Sequence, residues 1–591
     1  MSYRAPVKDM LFVMKELAGI EAVAALPGNE DAGFDTAAAV LEECAKFNEG
    51  VVAPLNVDGD RNPSSFKDGK VTTTPGFQAA FRQFAEGGWQ GLQHPTEFGG
   101  QGLPKLIHAA CAEMVNSANL SFALCPLLTD GAIEALLTAG TPEQQAKYIP
   151  PMIDGRWTGS MNLTEPQAGS DLSLVRTRAE PLPDGRYKLF GTKIFITYGE
   201  HDLAGNIVHL VLARVAGAPE GVKGISLFIC PKVLPDGTRN DVHCVSIEHK
   251  LGIKASPTAV LQYGDHGGAI AELVGQENRG LEYMFIMMNA ARFGVGVQGI
   301  ALAERAYQQA VAYARDRVQS RPVDGSMRSA APIIHHPDVR RMLMTMRAHT
   351  EACRAMALVA AASYDAAHGH ADAAVREQNQ AFYEFLVPLV KGLSTEMSLE
   401  VASLGVQVHG GMGFIEETGA AQHLRDAKIL TIYEGTTAIQ ANDLVGRKTA
   451  RDGGAVALAI AGQIEVTEAA LAKRGSAACK RMAERLAAGR RAFQDAVGFV
   501  AGRTKAEPNA VFAGSVPYLM LAGTVVAGWQ MARALIAAED ALARGEEPEF
   551  MAAKIATARF YGDHILNKAP ALRDSIVDGA DAVTAMALES F

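Results

Sequence analysis

The sequence predicts an α+β fold: an N-terminal helical region, a compact β domain, a helical bundle and a further helical block. Three observations carry this. Helical spacing dominates the first stretch, up to about residue 159. From 160 to 278 the segments turn rich in β-branched and aromatic residues and are divided by Pro-Asp-Gly turns. Beyond Leu281 helical patterns return and run to the end of the chain. A chain of 591 residues is too long for one core, which fits four units at 1–159, 160–278, 279–448 and 449–591.

Val7, Met10, Leu11, Met14 and Leu17 recur at helical spacing, so an amphipathic helix opens the chain. The pattern from about Asp35 to Asn162 stays helical, broken by Gly99-Gly100 and Gly102-Leu103-Pro104. Thr141-Pro142-Glu143-Gln144 reads as an N-cap followed by Pro at the first helical position. Strands are expected over Tyr187 to Thr197, Ile207 to Val215, Gly224 to Cys230 and Asp241 to Ile247, with turns at Pro183-Asp184-Gly185 and Pro235-Asp236-Gly237. A long helix is expected from Gly296 through Gln319, with Arg292 just before it, and Asp452-Gly453-Gly454 reads as a linker. Asn509 to Ala532 carries no charge and is about long enough to span a bilayer. Gly514, Pro517, Gly523 and Gly528 interrupt it, so it is read as a buried bundle helix, with no integral membrane association.

Composition narrows the function. With 65 acidic against 55 basic residues and a net charge of −10, the chain has no basic footprint for nucleic acid. Seven cysteines without a C-x-x-C pair read as reduced thiols, and the N-terminus has no apolar signal region; both point to the cytoplasm. Gly294, Gly296 and Gly299 spell G-x-G-x-x-G, but inside a helical run and after no strand, which argues against a Rossmann site. His335-His336 and His368-Gly369-His370 lack acidic or thiol partners at ligand spacing, so no metal is expected.

Several segments carry candidate chemistry. Met161 to Leu172 is turn-rich, with hydroxyls and backbone N–H groups suited to ring oxygens and phosphates. Gly191 to Thr197 is an amphipathic strand containing Phe195. Gln407 to Gly413 places three glycines in four positions, which permits close backbone approach to a ligand, and its His409 has no nucleophile to serve. Thr431-Ile432-Tyr433-Glu434-Gly435-Thr436-Thr437 holds one carboxylate, Glu434, before a glycine.

In this order, and together with Leu424 to Lys428 and Lys250 to Thr258, these pieces resemble the acyl-CoA dehydrogenase family over roughly residues 40–447. The resemblance implies an FAD-dependent dehydrogenase that converts an acyl-CoA to a trans-2-enoyl-CoA. Glu434 would take the α-proton, helped by Arg292 and Gly435 at the thioester. Leu163, Thr164, Phe195, Thr197 and Thr436 would meet the flavin, and Ser170 the flavin or CoA phosphates. Arg317 and Gln319 would reach the adenine dinucleotide part, with Gln407, Gly410 and Gly411 contributing across a dimer interface. Four residues at three sites depart from the family: Phe195 replaces a usual Trp, Ser320-Arg321 a usual Phe-Gly, and Ala438 a flavin-binding Gln. The block at 449–591 is similar to a longer subgroup that includes 3-methylmercaptopropionyl-CoA dehydrogenases and some fatty acyl-CoA dehydrogenases. Membership further implies a homodimer or larger and electron-transfer flavoprotein as acceptor. An acyl-CoA oxidase and a catalytically silent helical scaffold are the rival readings.

Overall fold

The computed structural model describes residues 3–591, apart from the side chains of 286 and 287. Helix α1 (Val7–Val13) widens into a π-turn over Met14–Ala18 and stops at Gly19, whose φ of +72° supplies the left-handed C-terminal stop. It is followed by α2 (Phe34–Phe47), α3 (Phe77–Glu86), α4 (Lys105–Ala118), α5 (Leu120–Ala139) and α6 (Pro142–Ile153). Thr141 caps α6 through a reciprocal capping box: its hydroxyl accepts from Gln144 N (3.3 Å), and Gln144 Oε1 accepts from Thr141 N (3.1 Å).

The helical reading of 35–162 is interrupted twice. A hairpin, β1 (Ser65–Lys67) and β2 (Lys70–Thr72), turns at Asp68-Gly69, and β3 (Trp157–Asn162) opens the β domain. Three-residue strands are too short for alternation to register. β3 is buried on both faces beside a parallel partner, which erases alternation altogether. The remaining strands are β4 (Arg178–Pro181), β5 (Tyr187–Thr197), β6 (Asn206–Val215), β7 (Ser226–Pro231), β8 (Val242–Ile247), β9 (Thr258–Tyr263) and β10 (Ala269–Val274). Their order is β10-β7-β6-β4-β5-β9-β8, with β3 on β6; because β10 also pairs with β5, the sheet closes on itself.

The bundle comprises α7 (Gly280–Asp316), α8 (Pro337–Gly369), α9 (Ala373–Val408), α10 (Ala420–Leu430) and α11 (Thr437–Val445). The glycines of the G-x-G-x-x-G string are packing residues on α7. A Cβ at Gly296 would lie 2.6 Å from Val390 and one at Gly299 2.5 Å from the Ser394 carbonyl, both on α9. The C-terminal block adds α12 (Ala455–Ala472), α13 (Ala477–Arg503), α14 (Ser515–Ala543) and α15 (Pro548–His564). Among the described residues four helices are long and apolar enough to cross a membrane. The uncharged stretch ending at Ala532 lies mostly in α14, whose apolar window is 83% buried inside the fold.

A buried ion network ties the ends of the chain to the bundle. Arg354 on α8 grips Glu113 of α4 (3.0 Å from Nε to each oxygen), Asp9 of α1 (2.8 Å) and Glu304 of α7 (2.7 Å). Lys554 on α15 bonds Asp9 (2.6 Å) and Glu351 of α8 (2.7 Å). Burial works against ionised Asp9, but Lys554 and Arg354 outweigh it and hold the carboxyl down to about 2.

Candidate active site

Glu434 lies in the turn between α10 and α11, where the backbone reverses through two left-handed residues, Glu434 (φ +54°) and Gly435 (φ +86°). A left-handed residue with a side chain costs about 1–3 kcal/mol and persists where its surroundings dictate it. Here they do. Lys391 on α9 donates to the carbonyls of Leu430 and Gly435, both at 2.8 Å, while Gln440 Nε2 donates to those of Glu434 and Gly435, both at 3.2 Å. A Cβ at Gly435 would lie 2.8 Å from that same Nε2, so glycine is required. The Tyr433 hydroxyl bonds Gln298 on α7, which donates to Asn116 on α4 at 3.0 Å. The turn is thus clamped from three helices.

Its carboxylate is not. Among the described residues no donor reaches the Glu434 carboxylate and no acceptor meets its backbone N–H. Desolvation pushes its pKa above the usual carboxylate value, and the charges of Arg292 and Lys391 offset only part of that rise. Burial pushes Lys391 down to about 8 and lowers Arg292 as well. Arg292 is 2% exposed; among the described residues its one ion pair, to Asp443, is long at 3.4 Å, and its Nε has no partner. The helix carrying Arg292 starts at Gly280, so Arg292 is an interior helical residue, not one preceding a helix at Gly296. The small residues of Gly294 to Gly299 hid that continuity.

In the β domain a bulge in the β5–β9 pairing falls between Lys193 and Ile196. It leaves Phe195 at φ +60° with its ring 59% exposed. Ile194 N bonds the Thr164 carbonyl (2.9 Å), so half-buried Leu163 and Thr164 sit beside Phe195 and half-buried Thr197. This edge is pinned from beneath by a buried pair, Lys193–Glu165 at 2.8 Å, with Lys193 also donating to the Leu163 carbonyl at 3.0 Å. Burial disfavours ionised Glu165, but Lys193 and the Thr177 and Arg176 donors hold it at about 2. Ser170 is exposed on the following loop. From the same domain Ile253 N reaches Asp426 of α10 (2.6 Å), so Lys250 to Thr258 docks the β domain on the bundle.

Apart from Thr436, which follows Glu434 by two residues in the same turn, the other candidates lie on other segments. Arg317 and Gln319 are exposed just beyond α7, where Gln319 N bonds Ala331 O (3.1 Å). Gln407, Gly410 and Gly411 are exposed at the end of α9, next to the exposed apolar Met412, Phe414 and Ile415. His409 stacks on Tyr313 and bonds the Gly405 carbonyl (2.7 Å), a packing role. The Thr436 hydroxyl caps α11, accepting from Ile439 N at 3.3 Å. Between α4, α5 and α7 an open cavity is lined by, among others, Asn116, Ala291, Phe293 and Lys105. Asn116 links this cavity to the Glu434 turn through Gln298 and Tyr433.

Four family models cover the chain: acyl-CoA dehydrogenase N-terminal domain (residues 34–156), middle domain (160–265) and C-terminal domain (278–448), and acetyl-CoA dehydrogenase C-terminal like (460–587). A 3-methylmercaptopropionyl-CoA dehydrogenase of Ruegeria pomeroyi is 54% identical over 594 residues, covering 100% of both chains. The chain belongs to the acyl-CoA dehydrogenase family. It is an oxidoreductase of that family, acting on CH–CH bonds. A broad-specificity linear acyl-CoA dehydrogenase of Mycobacterium tuberculosis is 36% identical, covering 97% of each chain. The fold is shared with an acyl-CoA dehydrogenase of Bacillus anthracis solved with FAD (TM-score 0.76, 22% identity, 97% of this chain and 93% of that one).

FAD is the family's cofactor, and the residues present fit it. An exposed aromatic ring held at positive φ by a bulge, flanked by Leu163, Thr164 and Thr197, offers a surface for a planar heterocycle. The unpartnered Glu434 carboxylate and Arg292 Nε lie on the bundle side, where a substrate would need them. Sequence reasoning missed Lys391, Gln440 and Gln298, which hold the Glu434 turn, and the Lys193–Glu165 pair. Lys391, Gln298 and Lys193 have partners elsewhere in the fold, and Gln440 bonds carbonyls five and six residues back, a spacing that belongs to no cap or turn pattern.

Proposed function

We propose that this protein is an FAD-dependent dehydrogenase of acyl-CoA thioesters, with Glu434 as the base that removes the α-proton. The observation that carries this is the Glu434 carboxylate itself, free of hydrogen bonds, shifted up by burial and facing two buried cations. A carboxylate whose pKa is raised by burial is a stronger base than an exposed one. As the proton leaves, negative charge grows on the thioester oxygen. The free Glu434 N–H can receive it, with Arg292 and Lys391 supplying positive potential nearby. When bound, the flavin ring of FAD would supply the acceptor for the β-hydrogen as hydride, which leaves the trans-2-enoyl thioester. Phe195, Thr164 and Thr197 orient that ring. Ser170, Arg317, Gln319, Gln407, Gly410, Gly411 and Thr436 are assigned to the remainder of the cofactor or to CoA.

The full-length likeness to the Ruegeria pomeroyi protein supports 3-methylmercaptopropionyl-CoA or a short fatty acyl-CoA as substrate. The exposed Met412, Phe414 and Ile415 support a homodimer built on that edge. Seven buried free thiols support a reducing, cytoplasmic setting, and electron-transfer flavoprotein is the proposed acceptor. The test is anaerobic mixing of the flavin-loaded protein with 3-methylmercaptopropionyl-CoA and butyryl-CoA. Bleaching of the flavin band with enoyl-CoA formation is expected. No bleaching with any acyl-CoA refutes the reading, and rapid peroxide formation in air would make the protein an oxidase.

A further inference from the structure

The cavity between α4, α5 and α7 is not an apolar slot. Lys105, at the start of α4, lines it and is 9% exposed. Its ammonium lies over two aromatic rings, 5.0 Å from the Phe293 centroid and 4.7 Å from the Tyr364 centroid. Among the described residues it makes no hydrogen bond and no ion pair; Glu134, Asp365 and Asp130 act on it only through space. Beside it His108 lines the same cavity, with a buried Nδ1 that has no partner. His94 and Asp130 are already bonded to each other at 2.8 Å. A ligand that displaces water from this ammonium without replacing its hydrogen bonds leaves a charged donor unsatisfied, at a cost of about 1–3 kcal/mol or more. A pocket meant only for hydrocarbon would carry a leucine or methionine at position 105.

Asn116, which lines the same cavity, connects this cation to the chemistry by leading through Gln298 and Tyr433 to the Glu434 turn, and Phe293, whose ring lies under Lys105, follows Arg292 on α7. The electrostatics also narrow the ligand. Two carboxylates, Asp130 and Glu134, already line the cavity around Lys105, so a second anion entering with the substrate would meet repulsion. A neutral acceptor would complete the ammonium without that penalty.

We propose that Lys105 is a specificity-determining residue: it donates a hydrogen bond to a neutral heteroatom, a thioether sulfur or ether oxygen, in the tail of the acyl group. This rests on the dehydrogenase reading above and adds what the pocket selects. Phe293 and Tyr364 hold the ammonium in place, and His108 offers a second polar contact.

The test uses the flavin-loaded full chain and three acyl-CoAs of matched length: 3-methylmercaptopropionyl-CoA, its oxygen analogue 3-methoxypropionyl-CoA, and pentanoyl-CoA, in which CH2 replaces the heteroatom. Wild type is expected to favour both heteroatom substrates over pentanoyl-CoA by about tenfold or more in kcat/KM, because the hydrocarbon leaves the buried donor unpaired. Lys105→Met should abolish or reverse that ratio while still oxidising pentanoyl-CoA, and Lys105→Arg should keep much of it. Equal kcat/KM for pentanoyl-CoA and the two analogues in wild type overturns the proposal with no variant needed. An unchanged ratio in a Lys105→Met protein that still turns over pentanoyl-CoA overturns it too. Loss of turnover with every acyl-CoA in wild type would instead refute the dehydrogenase reading.

Discussion

Two charged clusters in the helical core are treated in opposite ways. Around Arg354 each charge is matched: Asp9, Glu113 and Glu304 surround the guanidinium, and Lys554 closes the ring onto Glu351. Around Glu434 the charges face one another without contact, Arg292 keeps a free Nε, and the carboxylate accepts nothing. Both sets draw on helices of one continuous core. Burying an ion is costly unless it is paired, so the matched set reads as architecture and the unmatched set as a site awaiting a ligand. The first joins α1 and α15 to the bundle and so holds the C-terminal block in register. The second leaves a desolvated carboxylate open to a ligand.

The sharpest way to break this contrast is Glu434→Gln. Loss of a positioned general base is worth about 10²- to 10⁴-fold in rate, so kcat/KM should fall by that order in an anaerobic flavin-bleaching assay. Stability should not fall with it. The folded pKa of Glu434 lies above its unfolded value, so ionisation at neutral pH opposes folding, and that opposition fades only as pH drops toward the raised pKa. Gln removes it, so the urea midpoint at pH 7 should hold or rise. A clear drop in the midpoint would mean that Glu434 is structural after all.

Arg354→Met is the mirror experiment. It leaves Glu113, Glu304 and Asp9 buried with lost partners, and breaking such a set costs about 3–5 kcal/mol. The urea midpoint should fall accordingly, while protein that remains folded keeps its KM. A variant as stable as wild type would show that the network contributes little and that pairing is no guide to role.

A subtler effect separates the two cations near the base. An opposite charge favours the carboxylate, so removing Arg292 should raise the pKa of Glu434 further. Activity requires the ionised base and is lost as pH falls through that pKa. In Arg292→Gln the acid limb of the kcat/KM profile should therefore move to higher pH, beyond any loss in overall rate. Asp443 keeps Arg447 as a partner at 2.6 Å, so the fold should tolerate the change. An acid limb that stays in place would mean Arg292 does not set the potential at the base.

The same contrast explains what could be read from the sequence. Thr141, the long strands and the Tyr433-Glu434-Gly435-Thr436 string were legible because their signals are local: a cap, a run of β-branched residues, a carboxylate in a glycine turn. The short hairpin at Ser65 to Thr72 left one trace, Asp68-Gly69, that a turn rule alone would have caught. The long-range parts were not legible. Lys391 looks like a stray charge in an apolar helix until the Gly435 carbonyl, far along the chain, comes within 2.8 Å. Lys105 likewise acquires meaning only when α7 brings Phe293 over it. Arg292 was found by resemblance but misplaced, since packing glycines look like a break in a helix until the opposing helix is seen.

Thr436 gives the smallest effect and tests whether one side chain can belong to both classes. Its oxygen accepts the Ile439 N–H, which is a cap, and replacing such a cap by Ala costs about 0.5–2 kcal/mol. Accepting that bond leaves the hydroxyl proton free to donate outward, and the family resemblance directs it at flavin. The two roles separate by measuring Thr436→Ala with and without FAD. A pure cap lowers the stability of both forms by the same amount, about 1 kcal/mol. A hydroxyl that also donates to flavin makes the loaded form lose more, because weaker FAD binding removes part of the stabilisation that the ligand confers. We expect the unequal loss, with Thr436→Ser restoring both forms. Equal losses would confine Thr436 to the scaffold, with its cap as its whole role.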